Sequence, residues 1–170
     1  MASGRVTHSI RRRKNWTSPI PPPVSGAARQ NFPAGGGGLV STVDDYLAFA
    51  RMLLNKGRYG VQAGQKRLVA ASSIEMMTTN QITPEQQEMG RLILGPNTGW
   101  GFGVSVLVKP DSFTTHPGRY GWNGGLGSSW WNDPSQGLIA IILTERAFES
   151  ADPPPVIKDF WKAAYASAEV

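Results

Sequence analysis

Arg119-Tyr120-Gly121-Trp122-Asn123-Gly124-Gly125-Leu126-Gly127-Ser128-Ser129-Trp130-Trp131-Asn132-Asp133-Pro134 is the stretch around which the rest of the chain is built. It ends in an Asn-Asp-Pro-Ser turn, and Leu138-Ile139-Ala140-Ile141-Ile142-Leu143 then runs continuously apolar. The pattern predicts two antiparallel strands, over about 119–131 and 137–143, joined by a tight turn. The first is an unusual strand, because four of the seven residues from Gly121 to Gly127 are glycine. Glycine weakens a strand interior and marks a place where a ligand or another backbone comes close. The stretch therefore reads either as one wall of a cleft with Trp122 at its lip, or as a kinked strand with Trp122 in the core.

Working outward, Trp100 to Val108 alternates and turns β-branched, which predicts a strand over about 100–108. Ser41-Thr42-Val43-Asp44 resembles a capping box with Asp in the Glu position. Tyr46, Phe49, Ala50, Leu53 and Leu54 follow at helical spacing, so a helix is expected over about 42–55. Asp44 and Asp45 suit its positive end. A short helix is expected over about 72–79, with Ile74 and Met77 facing inward. Ile82 to Asn97 is polar and proline-broken, and reads as a loop. Asp152 before Pro153, Pro154 and Pro155 reads as the start of a last helix, over about 153–165. Residues Met1 to Pro33 show no sustained period, and their prolines favour extended backbone, so 1–33 reads as a basic, proline-rich arm and 34–170 as the folded part.

Composition narrows the chemistry. A chain of 170 residues with no cysteine excludes disulfides, thiolate metal sites and a cysteine nucleophile. With two histidines, His8 and His116, no zinc site is expected, and no metal or cofactor is implied. The formal charge of +5 is concentrated in Arg11-Arg12-Arg13-Lys14, which reads as a solvated basic segment, not a nucleic-acid site. No run is long and apolar enough to span a bilayer as a helix, and the first residues lack the apolar core of a signal peptide; the cytoplasm is the expected location. Gly35 to Gly38 is not a phosphate loop, because Leu39-Val40-Ser41-Thr42-Val43 follows in place of the required lysine and hydroxyl.

Three segments in order resemble one family: Gly35 to Tyr46, Met76-Met77-Thr78-Thr79-Asn80-Gln81, and Tyr120 to Pro134. Together they are similar to the C-terminal portion of the serine β-lactamase-like proteins, closest to the class C β-lactamase-like carboxylesterases of the family VIII type. The resemblance covers about Phe32 to Val170. It implies an α+β fold, an antiparallel sheet with flanking helices, incomplete relative to the family's whole domain. In that family a Ser-x-x-Lys carries the nucleophile, a Tyr-x-Asn supplies a base, and a strand carries Lys-Thr-Gly or Trp-x-Gly. Only the third has a counterpart here, Trp122-Asn123-Gly124, and the resemblance gives the backbone N–H of Gly125 a share in the oxyanion hole. Tyr120, Trp122, Asn123 and Gly124 are then the expected substrate-binding residues.

No serine in the sequence has a lysine three positions on, and no tyrosine has an asparagine two positions on. Gly-x-Ser-x-Gly is also absent. An activated serine needs a base within reach, so no nucleophile is identified. The expectation is the C-terminal part of a serine hydrolase, a carboxylesterase or β-lactamase type, acting on a small ester or lactam once an N-terminal part completes it. The alternative is a non-catalytic binding or assembly module on the same fold. A third reading, with Ser128 or Ser129 as an unconventional nucleophile, ranks last, and His116 stays open as a base. Open sheet edges and uncovered apolar surface predict self-association.

Overall fold

The computed structural model describes residues 41–60 and 66–168; the arm at 1–33 and the glycine run at 35–38 lie outside them. Helix α1, Val43–Leu54, opens one residue later than the expected cap. Thr42 is the N-cap: its hydroxyl accepts from the Asp45 N–H at 3.2 Å and donates to the Asp45 carboxylate at 2.9 Å. A two-residue hairpin, β1 (Arg58–Tyr59) and β2 (Lys66–Arg67), leads to α2, Ala71–Met77.

The segment expected to be a loop holds two helices, α3 (Pro84–Met89) and α4 (Arg91–Leu94). Thr83 and Gln86 form a reciprocal capping box with Pro84 in the first turn. Because proline there loses only an N–H that has no helical partner anyway, it starts this helix instead of breaking it.

The sheet is a five-stranded antiparallel meander: β3 (Thr98–Trp100), β4 (Ser105–Leu107), β5 (Tyr120–Gly124), β6 (Ser128–Asp133) and β7 (Leu138–Leu143), neighbours in that order. Each of the two glycine-bearing strands expected as one piece is a hairpin. Trp100 pairs with Ser105 around Gly103, whose φ is +84°. Gly124 pairs with Ser128 around a three-residue loop ending in Gly127, at φ +104°. A left-handed glycine at the last loop position is what a three-residue hairpin loop demands. At Gly127 a side chain would also strike the Arg146 carbonyl and the Thr144 hydroxyl. The β6–β7 turn is stabilised by Asp133, whose carboxylate accepts from the Ser135 N–H at 2.9 Å and hydroxyl at 2.6 Å.

Side-chain alternation gives the sheet two buried faces. Tyr120, Trp130, Val104 and Val106 pack with Ala50, Leu53 and Ile74 of α1 and α2. Trp131 and Ala140 pack with Ile157, Trp161 and Tyr165 of the last helix, α5 (Pro155–Ala168). That helix begins at Pro155; the Ile157 and Lys158 N–H groups bond to the Pro154 carbonyl, and Asp152 instead holds Lys158 at 2.6 Å. The result is an α/sheet/α sandwich of the α+β class. No described helix is long and apolar enough to cross a membrane.

Candidate functional site

The motif strand β5 carries its residues to opposite faces. Trp122 is half-buried on the α1/α2 face, edge-on to Trp100 with ring centroids 4.8 Å apart. Trp122 is opposite Trp130, and Gly124 is opposite Ser128. Asn123 points the other way, toward α5. Its Oδ1 accepts from the Ser129 hydroxyl at 2.6 Å and from the Trp131 indole N–H at 3.0 Å. The Ser129 oxygen in turn accepts from the Trp161 indole at 3.0 Å. Asn123 therefore does not share a lip with Trp122, because strand neighbours alternate. Tyr120 also leaves the expected substrate-binding set. It is buried in the α1/α2 core, with its hydroxyl accepting from Asn132 at 3.0 Å, and burial pushes its phenol above the ordinary value even though that bond acts the other way.

Gly125 sits at the exposed tip of the β5–β6 hairpin. The Gly124 carbonyl accepts from the Gly127 N–H at 2.9 Å, inside the turn. In a trans peptide the N–H opposes the carbonyl, so the Gly125 N–H is turned outward. The Gly125 carbonyl accepts from the Phe148 N–H at 2.8 Å, which ties the tip to the segment after β7. Trp122, Gly124 and the Gly125 N–H thus occupy one end of the sheet.

The glycines have a second cause that alternation alone does not reveal. A side chain at Gly121 would collide with the Trp130 carbonyl and the Trp131 backbone. The close approach there is made by the neighbouring strand. The serines next to the motif differ sharply. Ser129 is buried and bonded to Asn123 and Trp161, while Ser128 is exposed at the hairpin. His116 is exposed on the loop before β5, with Thr115 at 3.2 Å from its Nδ1. Among the described residues no cluster of His, Cys, Asp or Glu could hold a metal. A cavity of about 350 Å³ lies beside α3 and α4 and the segments before β3 and after β4, around Gln87, Glu88, Arg91, Asn97 and Lys109, away from the motif.

Comparison with known proteins places this geometry among relatives. The family model described as Beta-lactamase matches residues 2–158. Protein Rv1367c of Mycobacterium tuberculosis is 37% identical over 123 residues, covering 68% of this chain and 29% of that protein. Esterase EstB of Burkholderia gladioli is 30% identical over 131 residues, covering 74% of this chain and 29% of EstB. The chain thus spans about three-tenths of the length of the curated relatives it matches. Among solved structures, simvastatin synthase (LovD) from Aspergillus terreus superposes with a TM-score of 0.55 at 16% identity, over 72% of this chain and 32% of LovD. A Bacteroides dorei protein provisionally called a beta-lactamase gives 0.51 at 20% identity, over 86% of this chain and 46% of its own. These two likenesses speak to the fold.

Proposed function

The chain belongs to the beta-lactamase family, and on that premise we propose that it forms one wall of the acyl-transfer cleft of a serine hydrolase, of the carboxylesterase or β-lactamase type. The observation that carries this reading is the outward Gly125 N–H, which the trans peptide directs away from the turn that holds the Gly124 carbonyl. A preorganised backbone donor aimed at a developing oxyanion is a large term in acyl transfer. Trp122 supplies a flat apolar wall for the acyl or alcohol group, and Gly124 leaves room beside it. Asn123 acts from behind, through Ser129 and Trp131, and not on the substrate. The serine and its base belong to polypeptide outside these 170 residues, since neither Ser-x-x-Lys nor Tyr-x-Asn occurs in them. The ester of the EstB name supports the substrate class.

The test has two arms. The chain alone, incubated with a fluorophosphonate or a β-lactam, forms no covalent adduct by mass spectrometry; a stoichiometric adduct on Ser128 would sink this assignment. Joined to a family N-terminal part bearing Ser-x-x-Lys, it hydrolyses p-nitrophenyl esters, and Gly125→Pro lowers kcat by about 100-fold. Proline suits the second position of this turn, so the substitution deletes the N–H without breaking the hairpin. The absence of a nucleophile motif in the sequence also favours a second reading, a non-catalytic module. That reading predicts ester binding without turnover in the joined protein as well.

A further inference from the structure

On the α5 side of the motif strand, a cavity of about 50 Å³ lies between the rings of Phe113, Trp131 and Trp161, with Arg119 and Asn123 on the sheet wall and Lys158 on the helix. Arg119 is the anomaly. Its side chain is 8% exposed, yet only Nη2 has a partner, the Asp111 carboxylate at 2.5 Å. Nε and Nη1 are buried without a hydrogen bond to any described residue; the Tyr165 hydroxyl, which donates to Asp133, lies near enough to feel the guanidinium charge but is not a partner of either nitrogen. The guanidinium carbon stands 4.8 Å from the Trp131 ring and 5.6 Å from that of Phe113. Buried donors without acceptors are costly and call for an explanation.

Nothing in the cavity wall supplies one. The wall holds two cations and no carboxylate. Asp111 accepts from the Phe113 and Thr114 N–H groups besides Arg119, and Asp133 accepts from Ser135 and Tyr165. The Asn123 Oδ1 is taken by Ser129 and Trp131, so its amide has only its NH2 to offer. The cavity is a set of donors between aromatic walls.

We propose that this cavity binds a small monocarboxylate of formate or acetate size, its oxygens accepting from Arg119 and Asn123 and its apolar end lying against the rings. The volume fits: about 50 Å³ is room for roughly three to five waters. Lys158 completes the charge balance at the mouth, where it is 41% exposed and shared with Asp152. A carboxylate matches the planar guanidinium in a way that a spherical ion does not.

The full chain, labelled with nitrogen-15, is titrated with sodium acetate and, separately, with sodium chloride at matched ionic strength. The Arg119 Nε–H and the Trp131 and Trp161 indole N–H signals shift saturably with acetate only. Lys158→Gln, a change on an exposed face, weakens acetate binding about tenfold. Arg119→Gln abolishes it; should that variant not fold, the Arg119 Nε–H shift in the native chain and the Lys158→Gln titration still decide the matter. Equal responses to acetate and chloride, an Arg119 signal that does not move, or unchanged affinity in Lys158→Gln each overturn the proposal.

Discussion

Asn132 shows how much one buried polar side chain can hold. It is fully buried, donates to the Ala50 carbonyl of α1 at 2.8 Å and to the Tyr120 hydroxyl at 3.0 Å, and accepts from the Trp130 indole at 2.9 Å. Asn132→Ala orphans three groups in the core and is expected to cost about 3 kcal/mol, read as a lower urea midpoint. Asp133, on the other face, sets a pH dependence. Burial alone would raise its carboxyl, but bonds from the Ser135 and Tyr165 side chains and from the Ser135 and Gln136 N–H groups outweigh that and hold it below its ordinary value. Its contribution is therefore present above about pH 4, near the unfolded value, and lost as pH falls through the lower folded value. Urea midpoints measured from pH 6 to pH 2 should decline, and Asp133→Asn should flatten that decline. An identical slope in the variant would remove Asp133 as its source. Burial first, then the bond to Asp133, pushes the Tyr165 phenol well up, so its share is present below about pH 10 and lost above it.

Among the helices, α3 and α4 are the least anchored, since neither buries a residue. Apart from the Gln87 amide, which donates to the Thr98 carbonyl of β3 at 3.0 Å, the stability of α3 rests on its cap and its own turns. Thr83→Ala removes the hydroxyl that accepts from Gln86 N–H at 3.3 Å and should cost about 1 kcal/mol. Amide exchange of Gln87 and Gly90 should then quicken while that of Trp130 and Trp131 stays unchanged; faster exchange in β6 as well would mean α3 supports the sheet. The hairpins behave differently, since their turns are held by Gly103, Gly127 and Gly137 at positive φ, and Gly127 also passes close to the Arg146 carbonyl. That is why the motif end of the sheet is a built feature and not a frayed one.

For the molecule as a whole, the described residues leave apolar surface uncovered. Met89 and Leu92 are 86% and 87% exposed, Ile93 lies beside them, and β3 and β7 end the sheet with one edge each. Exposed apolar patches and open strand edges drive pairing between chains. The chain is expected to associate, with a weight-average mass by light scattering that rises with concentration. Leu92→Lys together with Ile93→Lys should reduce the rise; a monomer at every concentration would show that this surface does not drive association.

The local signals were those that depend on a few neighbours in sequence. The alternation that ends in β4, the continuous apolar run of β7, the α1 stripe from Tyr46 to Leu54 and the Trp122-Asn123-Gly124 motif with its family are all legible in the sequence. The capping box at Thr83 is also present in Thr83-Pro84-Glu85-Gln86, where proline in the first turn opens a helix although proline further in would break one. What no local pattern contains is which backbone a glycine faces. Gly121 admits β6, Gly124 to Gly127 reverse the chain, and neither is distinguishable in sequence from a strand open to a ligand. The pairing of Trp122 with Trp130 places them on one face and sends Asn123 to Ser129, Trp131 and Trp161 on the other. Nothing in the sequence beside Arg119 marks its side chain as buried. Its burial among Phe113, Trp131 and Trp161 arises because α5, distant in sequence, closes over that face, and desolvation and partner supply belong to the packed state alone.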